Sequence, residues 1–64
     1  MKLILPDLTE RVITGGTAPL DRLLLAEGIN PNEVIASRNG TLIPEDTLVS
    51  GEDEIRLIRI AHGG

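Results

Sequence analysis

Apolar residues fall along this chain in short runs, each closed by a turn-forming residue, and one run repeats at helical spacing. Leu3-Ile4-Leu5 stops at Pro6-Asp7, and Glu10-Arg11-Val12-Ile13-Thr14 stops at Gly15-Gly16. Two brief runs parted by a turn signal predict a β-hairpin with its loop from Pro6 to Thr9, since proline cannot donate to a ladder. Leu20, Leu23 and Leu24 then recur at i, i+3 and i+4, the buried stripe of a helix of about ten residues. Thr17 is placed to cap it, Pro19 is tolerated in its first turn, and Gly28 closes it with Ile29 folding back as the apolar partner of the cap. Leu25 points away from the stripe and reads as a scattered surface residue rather than an interface contact. A third strand over 33–38 ends at Asn39-Gly40, the strongest two-residue hairpin signal, and Thr41-Leu42-Ile43 returns from it. Pro44-Glu45-Asp46 breaks the return strand, Thr47-Leu48-Val49 adds a brief apolar contact, and Ser50 to Asp53 turns into a final strand from Glu54 to Ile60.

This order predicts an α+β domain: a mixed four- to five-stranded sheet with one helix packed on one face, the last strand central and parallel to the first. The expected core is Leu3, Leu5, Val12, Leu20, Leu23, Leu24, Val34, Leu42, Leu48, Ile55 and Leu57. No repeat, low-complexity tract or linker interrupts the 64 residues. The chain closes on His62-Gly63-Gly64, so a stiff, β-prone strand leads into residues without side chains, which can thread a channel too narrow for any Cβ.

Composition removes several function classes. A chain of this length buries only ~60% of its unfolded surface, leaving little room for an enclosed active site. Phe, Tyr and Trp are all absent, so the core is aliphatic and base stacking is not available. A formal net charge of -4 disfavours nucleic acid. Without cysteine there is no disulfide and no thiolate metal site. His62, the single histidine, reads as a solvated residue beside the glycines, because alone it cannot build a metal site. The amino-terminal residues show neither a signal sequence nor a membrane span, so a cytoplasmic protein without membrane contact is expected.

Several segments together resemble the ThiS/MoaD family of sulfur carriers, a branch of the ubiquitin-like β-grasp proteins. They are Gly28-Ile29-Asn30-Pro31, Val34-Ile35-Ala36-Ser37-Arg38-Asn39-Gly40, Leu42-Ile43-Pro44, and Gly51-Glu52-Asp53-Glu54-Ile55 running into Ile60-Ala61-His62-Gly63-Gly64. The family's usual wording before the last strand is Gly-Asp-x-Ile or Gly-Asp-Glu-Ile, so one extra acidic residue stands here, a departure expected to alter the turn. The resemblance implies a β-grasp domain over 1–61 with a flexible Gly-Gly tail over 62–64. It also implies a carrier rather than an enzyme. A ThiF/MoeB-like activating enzyme, which itself uses ATP and magnesium, adenylates the Gly64 carboxylate, a sulfur donor replaces AMP to leave a thiocarboxylate, and a sulfur-accepting synthase takes the sulfur. The carrier binds no cofactor of its own. Relatives serve thiamine thiazole, molybdopterin, cysteine and thiolated tRNA.

Two other readings share the fold: a modifier joined through Gly64 to lysines of other proteins, and an interaction module that never uses its carboxylate. Lys2 is the only lysine, which makes chains built on the carrier itself improbable. Strand alternation completes the candidate site. With Ile55 and Leu57 inward, Arg56, Ile58 and Ile60 face out, as do Ile35 and Ser37 if Val34 and Ala36 point in. Ile35, Ile58 and Ile60 then form an apolar patch leading to Gly63-Gly64, flanked by Arg38, Arg56 and Arg59, with His62 nearby. A partner enzyme or a second copy could cover it; the free chain is expected to be a monomer. Glu45-Asp46 and Glu52-Asp53-Glu54 read as charges solvating turns before they read as a docking surface.

Overall fold

Short β-prone runs closed by turn residues pair in the computed structural model into a five-stranded mixed sheet and a separate two-stranded ladder, with one α-helix among the described residues, which are 1–60. The strands are β1 (Lys2–Ile4), β2 (Glu10–Val12), β3 (Ala18–Pro19), β4 (Val34–Arg38), β5 (Thr41–Ile43), β6 (Leu48–Val49) and β7 (Glu54–Arg59), with helix α1 (Leu20–Ala26) between β3 and β4. The main sheet runs β2-β1-β7-β4-β5, so the last long strand is central. It pairs parallel with β1, Leu3 opposite Ile55, and antiparallel with β4, Ala36 opposite Leu57. This is the central, parallel placement of the last strand expected from the order of elements, and the β-grasp arrangement that the resemblance implies.

Helix α1 has seven residues and is shorter than its apolar stripe suggested. Thr17 does not cap it. Ala18 and Pro19 extend instead and pair with Val49 and Leu48, and Pro19 stands at the cap with φ -63° and ψ 138°. The first-turn amides find acceptors from a distant segment: the Leu20 amide donates to the Thr47 carbonyl at 2.9 Å and the Asp21 amide to that of Glu45 at 2.7 Å. At the other end Gly28 takes φ 77°, its amide donating to Leu25 and that of Ile29 to Leu24. These paired bonds form a Schellman cap, and Ile29 packs against the core as expected.

Met1, Leu3, Leu20, Leu24, Ala36, Val49, Ile55 and Leu57 are buried, with Leu5, Ile13, Leu23, Ile29, Val34 and Ile43 packed around them. Three expected core residues are instead exposed: Val12 (78%), Leu42 (62%) and Leu48 (61%). Leu42 is excluded by its hairpin. Asn39 and Gly40, both at positive φ, make a two-residue turn that pairs Arg38 with Thr41, Ser37 with Leu42 and Ala36 with Ile43. Leu42 therefore shares the face of Ser37, and Ile43 takes the core side. Val12 sits on an edge strand opposite exposed Lys2, and β6 buries Val49 in place of Leu48.

Candidate functional site

The sheet's face away from the helix is open, and its side chains follow from the register. Alternation along β7 turns Ile55 and Leu57 to the core and Glu54, Arg56 and Ile58 outward. Across the strands one row on that face reads Glu10, Ile4, Arg56, Ser37, Leu42, with Arg56 at its centre. The row toward the end of β7 pairs Ile58 directly with Ile35, and the row toward its start holds Val12, Lys2 and Glu54.

These rows differ in chemistry. Near the start of β7, the Lys2 ammonium bridges Glu10 at 3.2 Å and Glu54 at 3.8 Å. The hydrogen bond and the charge of Glu10, then the charge of Glu54, raise the Lys2 pKa above its ordinary value. Toward its end the face is apolar, with Ile58 (48% exposed) and Ile35 (38%) open to solvent, and exposed Leu42 adjoins them from the Arg56 row. Leu42 is a member that alternation along single strands overlooked; the two-residue turn at Asn39-Gly40 was the signal that places it there. Ile60 follows Ile58 on the same side by alternation, half-buried, its amide donating to the Glu33 carbonyl at 2.9 Å. The ladder thus continues one residue past β7, to the end of the described chain.

Of the three arginines expected to flank the patch, Arg56 alone lies on its face. Arg38 is paired with Ile55 and Arg59 with Val34, so both alternate to the helix side. The Arg38 guanidinium donates to the Leu48 carbonyl and to Asp53 Oδ2, each at 3.3 Å, and Asp53 Oδ2 also accepts the Ser50 amide at 2.8 Å. Asp53 thereby closes the Ser50–Asp53 turn, and Arg38 serves that turn instead of the patch.

Between Ile4, Ser37, Asn39, Gly40, Glu54 and Arg56 the open face dips into a shallow depression of about 310 Å³. His62, Gly63 and Gly64 lie outside the described residues. Among the described residues, no cluster of three or more His, Cys, Asp or Glu could hold a metal ion, and no helix is long and apolar enough to cross a membrane. Comparison with curated proteins gives no match. The model of the ThiS family, by contrast, matches residues 5–64, nearly the whole chain. With a β-grasp sheet, one helix and an open apolar face, the chain belongs to the ThiS family of ubiquitin-like sulfur carriers.

Proposed function

We propose that the protein carries sulfur as a thiocarboxylate on Gly64, formed by a ThiF/MoeB-like activating enzyme that docks on the open face of the sheet. The observation that carries this reading is the family match, which runs through residues 63 and 64, beyond the central strand that leads to them. A carboxylate is a poor electrophile and needs activation before acyl transfer. Its oxygen attacks the α-phosphorus of ATP, pyrophosphate leaves, and an acyl-adenylate results. Sulfur at the hydrosulfide level then attacks the carbonyl carbon and displaces AMP, leaving the thiocarboxylate for a synthase to use. ATP and magnesium belong to the enzyme, and this chain supplies the docking face, the strand and the carboxylate. Gly63 and Gly64 present no Cβ to the channel that admits them.

Mass spectrometry of the protein isolated from its native cells tests the product: replacement of one carboxylate oxygen by sulfur supports the carrier, whereas isopeptide adducts to other proteins make it a modifier. Substituting Gly64→Val is expected to lower the rate of adenylation about 100-fold through misplacement of the reacting group, with the thermal midpoint unchanged. Adenylation of that variant at the normal rate refutes the threading argument. A protein that keeps its activity after deletion of Gly63 and Gly64 is an interaction module.

A further inference from the structure

Every charged side chain on the open face except Arg56 has a partner among the described residues: Lys2 is held between Glu10 and Glu54, and both carboxylates are engaged by it. Arg56 makes no ion pair there. Across the strands it meets Ile4 and Ser37, and along its own strand Ile58 follows it. Five donors in a planar fork therefore stand at the edge of an apolar patch, over the depression that Ile4, Ser37, Asn39, Gly40, Glu54 and Arg56 line, in which the Glu54 carboxylate is already engaged by Lys2.

A partner that covers Ile35, Ile58 and Leu42 must also cover Arg56, since Leu42 and Arg56 flank Ser37 in one row. Removing a guanidinium from water with no acceptor is costly, while a carboxylate brought against it under a covering partner makes a strong bidentate pair. A polyanion such as nucleic acid is disfavoured by the net charge of -4. We propose that the Arg56 depression seats an Asp or Glu side chain of the activating enzyme, and that this one pair, beside the apolar patch, orients the carrier and selects its partner. This rests on the carrier reading above and names what its docking face recognises.

The test uses the full chain with the ThiF-type adenylyltransferase of the same organism, measuring carrier-dependent ATP–pyrophosphate exchange for wild type, R56E, R56Q, R56K and, as control, R22E. Arg22 lies on α1, on the other side of the sheet. R56E is expected to lower the carrier's kcat/KM about tenfold, as loss of electrostatic steering does, with R56Q and R56K between it and wild type. Added salt should erode the wild-type advantage, and the thermal midpoint should hold for R56Q and R56K. An active wild type with R56E and R56Q indistinguishable from R22E overturns this inference alone, whereas a wild type that supports no exchange overturns the carrier reading and the inference with it. Sedimentation as a dimer for wild type and a monomer for R56E makes a second copy the occupant and also overturns the proposal.

Discussion

Asp53 carries three polar contacts on one side chain and its own amide: Oδ2 accepts from Arg38 and Ser50, and the backbone amide donates back to the Ser50 carbonyl at 3.1 Å. The pair with Arg38 is only partly exposed, with side-chain accessibilities of 32% and 22%, so it lies between a surface ion pair and a buried one. Asp53→Ala removes a turn-closing acceptor and leaves the guanidinium with the Leu48 carbonyl alone. A hydrogen bond and a half-screened ion pair together contribute about 1–2 kcal/mol. Urea denaturation should show that loss, with an unchanged m-value; a change below about 0.5 kcal/mol, the range of ordinary surface substitutions, means the clamp is ornamental. Arg56 is the contrasting residue. It lies two positions from Glu54 on the same face and makes no ion pair among the described residues, so substituting it should affect recognition far more than folding.

The elements were legible where a short local pattern decides them and illegible where a distant segment does. Asn39-Gly40 fixed a hairpin register that carries Leu42 to the open face, a consequence available from the sequence, because a two-residue turn leaves no choice of pairing. The placement of Arg38 and Arg59 on the helix side follows from the same alternation that turned Ile58 outward. Other features depend on contacts far along the chain. The start of α1 is set by carbonyls of Glu45 and Thr47, and Ala18-Pro19 is drawn into a ladder with β6, so Thr17 loses a cap that local preference favoured. In β6 a two-residue strand offers no alternation to show that Val49, not Leu48, turns inward. The far end of the helix is purely local, and its chemistry can be tested there. At Gly28, φ is 77° and an added Cβ meets nothing within 4 Å, so only backbone strain opposes a larger residue. Gly28→Ala is expected to destabilise by about 1–2 kcal/mol, the cost of a left-handed conformation for an L-residue. Equal stability of the two proteins in thermal melts shows that the cap has shifted to another geometry.

For the molecule as a whole, folding and the proposed docking occupy opposite faces of one strand. β7 buries Ile55 and Leu57 on the helix side while Arg56 and Ile58 remain at the surface, so alternation separates what holds the sheet from what the proposed docking face offers a partner. A chain of this size has a total stability of ~3–10 kcal/mol, with an aliphatic core and no disulfide to supplement it. Leu57 is 2% exposed and opposite Ala36 in the centre of the sheet, where little can collapse into a gap. Leu57→Ala therefore removes about 2–5 kcal/mol, a large fraction of the whole. Its loss of activity should track the fraction unfolded and be rescued by cooling toward the temperature of maximum stability, ~10–20 °C. Ile58→Ala, one residue away on the other face, should keep its melting midpoint within a few degrees and still lose carrier activity at every temperature. Circular dichroism melts read beside adenylation rates separate the two. If Ile58→Ala instead melts as early as Leu57→Ala, or if cooling restores it equally, the open face is part of the structural core and the division of labour along β7 is wrong.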